Sequence, residues 1–409
     1  VARTTLSPRL LEVTLRTAAL PTPTKVRVLL PAGYATGGRR YPVLYLFNGG
    51  GGSWLDWTTQ GSAERLTAHT PVIVVMPDGG QGGNYVDWFG PDASGMRPLW
   101  ETYHVGQLLP WIDRHFRTIA TRAQRAVAGV SMGGNGALHY AARHPDLFVA
   151  AASFSGANDV FNPIFYPITE TTEISNGATP GSVFGPRATE QIRWRASNPV
   201  DLAANLGSTW VSLSYGNGIT SQGGLPVDPI EVAVHDCNVT LHKALAAAGV
   251  AHVVDAYGAG NHSWPYWTRD LALALPRLMS VFAENRPAPT TLTHYSSTST
   301  RYDVFGWSVR LTRPVLETSY LQNADRYGFA LRGSGSAVVT TPALYPPGKR
   351  LDVVVRDARG TRTLRIVVGH GGRLAVPVDL GAANSFQQDT APALLTGTTV
   401  RDAHVTITP

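Results

Sequence analysis

Seven short, almost uninterrupted apolar runs dominate the stretch from about residue 26 to residue 284. They span 25–31, 41–48, 70–79, 125–131, 148–156, 209–218 and 251–258, and segments with helical periodicity separate several of them. Such continuous runs are typical of strands that are buried on both faces, as happens when helices cover both sides of a parallel sheet. The pattern therefore predicts an α/β fold with a mostly parallel central sheet.

The pattern of the sequence changes after residue 284. Residues 285–291, NRPAPTT, have the proline and small polar residues of a linker. Beyond them, closely spaced strand patterns continue to residue 409, joined by turns rich in Gly, Pro, Asn and Asp. We therefore expect an α/β domain over 1–284, a linker over 285–291 and an all-β, sandwich-like domain over 292–409.

Composition excludes several classes of protein. The net charge of +6 comes almost wholly from scattered arginines, because lysine occurs only at Lys25, Lys243 and Lys349, so no basic stripe predicts nucleic-acid binding. No apolar run approaches the roughly 18 to 20 residues of a membrane span. Cys237 is the single cysteine and permits no internal disulfide. We expect a soluble chain, and its start at Val1 without a basic and apolar leader suggests a mature or trimmed N-terminus.

The strongest chemical motif is Gly-Val-Ser-Met-Gly at 129–133. A buried strand leads into it and a helical pattern follows at once, which is the context that a nucleophile elbow requires. Glycines on both sides allow a sharp turn that lifts the hydroxyl of Ser131 clear of the sheet. The following helix would direct its N-terminal amides at a developing oxyanion. We expect Ser131 to be a nucleophile.

A serine nucleophile needs a base, and His262 is the best candidate among twelve histidines. It lies in a glycine-rich loop between the last predicted strand of the α/β domain and a closing helix, where this fold class carries its base. The acid should fall between Ser131 and His262. Glu231, in the first turn of a helix, is the preferred candidate, while Asp228 is a natural N-cap; Asp255 is a further alternative.

Two backbone amides are candidates for an oxyanion hole. One belongs to Met132, directly after the nucleophile, and the other to Gly50 in the glycine run that follows the strand ending near Asn48. Glycines there allow close approach of the backbone to a substrate carbonyl. Asn48 itself is a candidate to contact substrate, as are four tryptophans in neighbouring loops, for which packing beside the core is the alternative: Trp54, Trp57, Trp88 and Trp264.

The order of several motifs resembles the esterase superfamily that includes the antigen 85 mycolyltransferases and the S-formylglutathione hydrolase-like esterases. The motifs are LYLFNG, MPDGGQGGNYVDWFGP, WETYHVGQLLPWI, GVSMGG, YGNG, the stretch from GGLP to IEVAVHDCN, and NHSWPYW. The resemblance covers most of the first domain and implies an α/β-hydrolase fold. It places Ser131, Glu231 and His262 on the family triad, and Gly50 and Met132 on the oxyanion amides.

The chain also departs from the mycolyltransferases. Where they carry an Asp-Gly-Leu-Arg stretch that holds trehalose, this chain has Asn48-Gly49-Gly50-Gly51, so the charged sugar contacts are missing. The segment 158–198 is reshaped, and the C-terminal domain has no counterpart in them.

The sequence therefore predicts a secreted or cell-wall-associated serine esterase that acts on lipid-like or polymeric esters and needs no metal or cofactor. One alternative is acyl transfer to a sugar or glycerolipid. A second is a non-catalytic binding protein of the cell surface, in which the C-terminal domain does the work. The oligomeric state stays open.

Overall fold

The computed structural model describes residues 1–175, 177–219 and 227–409, except for the side chain of residue 172. The chain forms two compact units. The α/β unit comprises Val1–Pro186 and Ser197–Pro287, and the β unit comprises Arg187–Ala196 and Ala288–Pro409. The sequence predicted a single boundary at 285–291, whereas the structure also groups the ten residues Arg187–Ala196 with the C-terminal part of the chain.

Nine strands form the sheet of the α/β unit, in the order β1-β2-β3-β5-β4-β6-β7-β8-β9. They are β1 Ala2–Thr5, β2 Leu10–Leu15, β3 Thr24–Leu29, β4 Val43–Phe47, β5 Ile73–Pro77, β6 Arg125–Val130, β7 Ala150–Phe154, β8 Trp210–Tyr215 and β9 His252–Ala256. Strands β4 to β9 run parallel, while β1, β2 and β3 add antiparallel pairings at one edge. The predicted α/β fold with a mostly parallel sheet is confirmed.

Burial on both faces explains the continuous apolar runs. In β4, Val43, Tyr45 and Phe47 pack into the core on one side of the sheet. The alternate residues Leu44 and Leu46 pack into a second core on the other side. Because side chains alternate along a strand, a strand covered on both faces needs apolar residues at every position.

Helices connect the strands of the α/β unit. They are α1 Asp56–Thr59, α2 Ala63–Leu66, α3 Leu109–His115, α4 Met132–Arg143, α5 Phe165–Ser175, α7 Pro229–Ala247 and α8 Trp264–Glu284, while α6 Arg187–Arg195 belongs to the β unit. A π-helix, Thr102–Leu108, leads into α3, and short 3₁₀ turns lie at Arg122–Gln124 and Ala203–Leu206. Within the described part of the chain, no helix is both long and apolar enough to span a bilayer.

The β unit contains two antiparallel sheets. The larger has the order β10-β13-β14-β19-β16-β17 and the smaller β11-β12-β15-β18. Their strands are β10 Leu292–Ser297, β11 Arg301–Val304, β12 Trp307–Thr312, β13 Ser319–Asp325, β14 Gly328–Gly333, β15 Ser336–Thr340, β16 Arg350–Asp357, β17 Gly360–Val367, β18 Ala375–Asp379 and β19 Arg401–Thr408, with a short helix α9 at Ala391–Thr396.

One hydrophobic core draws on both sheets of the β unit. Leu321 and Leu331 of the larger sheet belong to the same buried cluster as Val309 and Val339 of the smaller. The predicted antiparallel strands of this region are confirmed, although the unit also contains the helices α6 and α9. The face-to-face sandwich arrangement stays a prediction.

Candidate active site

Ser131 occupies the turn between β6 and α4 with a backbone φ of 55° and ψ of −121°. A positive φ is uncommon for a residue with a side chain and costs on the order of 1–3 kcal/mol. Four backbone hydrogen bonds hold it there: its N–H donates to Phe154, and its carbonyl accepts from Gly134, Asn135 and Ala157. The strand–turn–helix elbow predicted around Ser131 is therefore present.

Glycines make room for this turn. A Cβ on Gly129 would lie 2.2 Å from the carbonyl oxygen of Gly133, and a Cβ on Gly133 would lie 2.4 Å from that of Asn48. A Cβ on Gly49 would lie 3.3 Å from the Cβ of Ser131. The elbow is therefore packed directly against the loop that follows β4, and side chains at these positions would push the two apart.

A buried carboxylate holds the imidazole of His262. Nδ1 of His262 lies 2.7 Å from Oε2 of Glu231, whose residue is fully buried. The other carboxylate oxygen, Oε1, accepts hydrogen bonds from the hydroxyl of Ser155 at 2.8 Å and from the N–H of Gly216 at 2.7 Å. With both oxygens bonded, Glu231 fixes the ring so that Nε2 is the nitrogen that can take up a proton.

The two alternative acids have other partners. Oδ1 of Asp228 caps α7 by accepting from the N–H groups of Ile230 and Glu231, and its Oδ2 accepts from the backbone N–H of His262 at 2.8 Å. Asp255 is ion-paired with Arg269 at 2.9 Å. The geometry thus supports Glu231 as the partner of the imidazole. For Asp228, the sequence predicted the helix cap but not the hydrogen bond from the backbone N–H of His262.

The two candidate oxyanion amides lie beside Ser131. Met132 is the first residue of α4, and Gly50 lies in the loop after β4; both line the same cavity as Ser131 and His262. Within the described residues, neither backbone N–H donates to a protein acceptor. The neighbouring N–H of Gly51 donates to the carbonyl of Gln81 at 2.7 Å and anchors the loop.

Asn48 supports this loop from below and does not line the cavity, which corrects its prediction as a substrate contact. The residue is only 1% exposed. Its Oδ1 accepts from the N–H of Gly79 at 3.0 Å and from the hydroxyl of Tyr85 at 3.2 Å, while Nδ2 donates to the carbonyl of Gly49 at 2.9 Å. All its polar atoms thus hold the backbone that leads to Gly50.

Two of the predicted substrate-binding tryptophans belong to the interior instead. Trp57 is 1% exposed and donates its indole N–H to the carbonyl of Phe47. Trp88 is 5% exposed and donates to the carbonyl of Gly83. Their rings and their only donors are used in packing, and neither residue lines the cavity.

The other two tryptophans also contact protein rather than the cavity. Trp54 donates to Oε2 of Glu12 at 3.0 Å. Trp264 packs edge-to-face between Trp57 and Trp267, with ring centroids 5.1 Å apart in each pair. Trp267 in turn packs edge-to-face on His262 at 4.9 Å. Trp57, Trp264 and Trp267 therefore pack in series, and the last of them contacts the imidazole of His262. This arrangement gives the three side chains a packing role.

The cavity above Ser131 has a volume of about 140 Å³. Its apolar lining comes mainly from Met132, Ala157, Val160, Phe165, Ile168 and Ile230. Its polar lining includes Asn84, Thr169 and Glu173, none of which belongs to the predicted set of site residues. Helix α5 supplies four of these residues, and it lies in the segment 158–198 that departs from the resembling families, so no family motif marked it.

The fold and this elbow define the protein class as an α/β-hydrolase. The chain belongs to the Esterase family, whose model, described as "Putative esterase", matches residues 17–278. This confirms the superfamily that the motifs predicted, although the GGLP segment at 223–226 lies outside the described residues.

Relatives of known name point to two activities. The chain is 43% identical over 207 residues to Esterase Rv1288 of Mycobacterium tuberculosis, a match that covers 49% of this chain and 44% of that protein. The chain thus spans less than half of that relative's length. It is 31% identical over 261 residues to the diacylglycerol acyltransferase/mycolyltransferase Ag85B of Mycobacterium leprae, covering 60% of this chain and 78% of the relative.

Among solved structures, the chain is similar to an S-formylglutathione hydrolase from Agrobacterium tumefaciens. The match has a TM-score of 0.54 and 16% sequence identity, and covers 69% of this chain and 99% of the other. At this level of identity the likeness concerns the fold. It agrees with the resemblance found from the motifs.

Proposed function

We propose that this chain is a serine carboxylic-ester hydrolase that works through an acyl-enzyme. The observation that carries the proposal is the convergence of Ser131 on its elbow and the Glu231-bound imidazole of His262 on one cavity. A hydroxyl nucleophile, a base and an acid that orients the base are the three parts that acyl transfer requires.

The steps follow from the positions of these groups. Oγ of Ser131 attacks the ester carbonyl while Nε2 of His262 takes its proton, and the carbonyl oxygen becomes an oxyanion near the amides of Gly50 and Met132. Glu231 stabilises the imidazolium. The imidazolium then gives its proton to the departing alcohol as the C–O bond breaks. Water then attacks the acyl-enzyme while Nε2 of His262 takes its proton. The bond between the acyl carbon and Oγ of Ser131 breaks, the imidazolium returns the proton to Oγ, and the acid is released.

The size of the cavity bears on the substrate. A dry protein cavity of roughly 150 Å³ holds benzene. A cavity of about 140 Å³ therefore has room for a ring or a short chain. We infer that the substrate places a short group in it, while the remainder of a lipid-like or polymeric ester lies outside. The preferred substrates are thus esters whose cavity-bound part is small.

Acyl transfer is the second candidate, because the chain is related to proteins named as acyltransferases. A transferase must hold an acceptor alcohol against a large excess of water, which takes positioned polar contacts. Asn48 is buried in the support of the glycine loop. Asp56 accepts from the N–H of Ser53 and does not line the cavity. These observations favour hydrolysis.

Labelling with a fluorophosphonate, which bonds to an activated serine, tests the proposal together with a product assay. The protein should be labelled, whereas Ser131→Ala and His262→Ala should lose labelling and lower ester hydrolysis by roughly 10⁶-fold. Absence of labelling would favour a non-catalytic binding protein. If an activated ester with excess trehalose or glycerol gave mainly the acylated acceptor, with little free acid, the transferase reading would replace hydrolysis.

We also propose that the protein acts outside the cell or at the cell wall. The support is its 31% identity over 261 residues to a mycolyltransferase. Finding the protein in the culture medium or cell-wall fraction, rather than the cytoplasm, would test this.

A further inference from the structure

The cavity above Ser131 is mainly apolar, but its wall includes a buried carboxyl group. Phe165, Ile168 and Val160 contribute apolar side chains, whereas Asn84 and Glu173 bring an amide and a carboxyl group to the same space. Burying a carboxyl group in such surroundings is costly unless it has a partner or a task. In the mechanism proposed above, Glu173 has no role, so its presence in the cavity wall needs another explanation.

The contacts of Glu173 leave one oxygen available. The residue is 6% exposed, and its Oε1 accepts a hydrogen bond from Nδ2 of Asn84 at 2.8 Å. Among the described residues, Oε2 has no hydrogen-bond partner. Burial, reinforced by the nearby charge of Glu170, raises the pKa of Glu173 to about 8. Below that pKa the group is a carboxylic acid, and because Oε1 accepts from Asn84, Oε2 is the oxygen that can donate a hydrogen bond.

The backbone on the other side of this pair is unusual. Asn84 and Tyr85 both have positive φ, 51° and 56°, and neither is glycine. Such a conformation persists only when the surroundings hold it. Here the turn directs Asn84 to Glu173, while the fully buried Tyr85 donates its hydroxyl to the carbonyl of Asn48 at 3.0 Å. The amide that orients Glu173 is thus fixed by the same residues that support the oxyanion loop.

We propose that Asn84 and Glu173 form a specificity subsite that donates a hydrogen bond to a neutral acceptor oxygen, an ether, hydroxyl or carbonyl, on the short cavity-bound part of the ester. This deepens the proposed hydrolase function and rests on it. Glu173 is the donor and Asn84 is a positioning residue. A substrate carboxylate would lie beside the carboxyl group of Glu173, which repels it once ionised. An ammonium group would bind well only after Glu173 has ionised, so neither charge suits the site.

Pairs of esters that differ by one oxygen test this. Each pair compares a straight-chain acyl group with its analogue in which one methylene is replaced by an ether oxygen, for example methyl hexanoate and methyl 4-methoxybutanoate. The oxygen is moved along the chain in a short series, and a second series places it in the alcohol of an acetate ester. At pH 6.5, kcat/KM for at least one ether ester should exceed that of its hydrocarbon partner by roughly 10-fold, the size of one buried hydrogen bond.

Variants assign this preference to Glu173. Glu173→Met, which has no donor, should abolish the preference, measured as the ratio of kcat/KM within each ester pair. Glu173→Gln places an N–H donor at the same position and should retain it. Glu170→Gln, on the same helix, is the matched control and should leave the preference unchanged at pH 6.5. If Glu173→Met does not fold, the glutamine variant and the pH profile below decide the question.

The pH dependence separates a donor from a merely structural carboxyl group. The preference should fall as pH rises through about 8, because the ionised carboxylate cannot donate, and Glu173→Gln should remove this fall. Among the described residues, Glu170 influences the pKa of Glu173 and His262 lines the same cavity, and the ratio within one ester pair cancels the effect of His262 on turnover.

The possible failures are distinguishable. Absence of hydrolysis of every ester, together with absence of labelling at Ser131, would overturn the proposed function itself. Hydrolysis without preference for any ether ester, or a preference that survives in Glu173→Met, would overturn the subsite alone. A preference for an amine-bearing ester that disappears in Glu173→Gln would show that the subsite binds a cation instead.

Discussion

Two carboxylates three residues apart divide the work around His262. Glu231 contacts the ring through Nδ1, whereas Asp228 contacts the backbone N–H of the same histidine and caps the helix that carries Glu231. Asp228 therefore ties the base and the acid to one helix terminus. Its role is in positioning, because none of its contacts reaches the imidazole.

Isosteric amides at the two positions should separate these tasks. Glu231→Gln removes the charge that stabilises the imidazolium and should lower kcat by roughly 10⁴-fold. Asp228→Asn keeps an oxygen for the helix cap but can lose the acceptor for the N–H of His262, and should lower kcat only several-fold. Steady-state kinetics with a soluble ester measures both. Full activity in Glu231→Gln with loss in Asp228→Asn would reverse the assignment.

At this scale, the sequence was informative wherever chain order constrains chemistry. Ser131, Glu231 and His262 each occupy a loop or helix terminus next to a recognisable strand, so their proximity could be predicted. Whether a tryptophan faces a cavity depends on its tertiary neighbours, so Trp57 and Trp88 could not be placed correctly. Glu173 was missed because a lone glutamate in a helix has the same pattern as a solvated one. Only its burial distinguishes it.

The elbow between β6 and α4 is an element whose geometry depends on the absence of side chains. A Cβ on Gly133 would lie 2.4 Å from the carbonyl oxygen of Asn48 and 2.8 Å from that of Phe47. Both neighbours are backbone atoms of the β4 strand end, which cannot rotate away. Any relief has to come from moving α4 or the loop that carries Gly50.

Gly133→Ala should therefore reduce both stability and activity. We expect a loss of roughly 1–3 kcal/mol in the free energy of unfolding, typical of overpacking, together with a fall in kcat as the oxyanion amides separate. Gly106→Ala is the control, because a Cβ on this helical glycine meets no atom within 4 Å. It should be neutral or stabilising by up to about 1 kcal/mol. Urea unfolding of both variants measures the difference, and equal stabilities would contradict the packing argument.

Strand β1 lies outside the apolar runs from which the sequence predicted strands. All four of its residues are exposed, and this edge strand pairs only with β2. Its conformation comes from pairing with a neighbouring strand. The central strands were predictable because burial on two faces determines every residue in them.

For the molecule as a whole, helix α6 makes the domain organisation differ from the single boundary that the sequence predicts. Nε of Arg195 lies 3.0 Å from Oδ2 of Asp389, and Nε2 of Gln387 donates to the carbonyl of Thr189 at 2.7 Å. A segment that precedes β8 thus belongs to the C-terminal unit. No sequence pattern indicates this, because the partners of the helix lie almost 200 residues later in the chain. The ion pair between Arg195 and Asp389 has a sequence separation of 194 residues.

A truncated chain ending at Pro287 tests this organisation. It should keep the far-UV circular dichroism of an α/β fold and hydrolyse a small soluble ester, because the sheet and the proposed catalytic residues lie before the cut. It should also become sensitive to trypsin after Arg193 or Arg195, since α6 loses its partners. The full-length chain is the control. An unfolded truncated protein would show that the two units depend on a common core.

The position of α6 in the chain also determines when this helix can pack during synthesis of the protein. A ribosome adds roughly 5–20 residues per second, so the 194 residues between Arg195 and Asp389 take about 10–40 s to make. Strands β8 and β9 and helix α8 are synthesised within that interval, before the C-terminal partners of α6 exist. The nascent α/β unit can therefore fold before α6 has any of its C-terminal partners. Slower translation beyond residue 287 would lengthen the time for which α6 is open to chaperones and proteases.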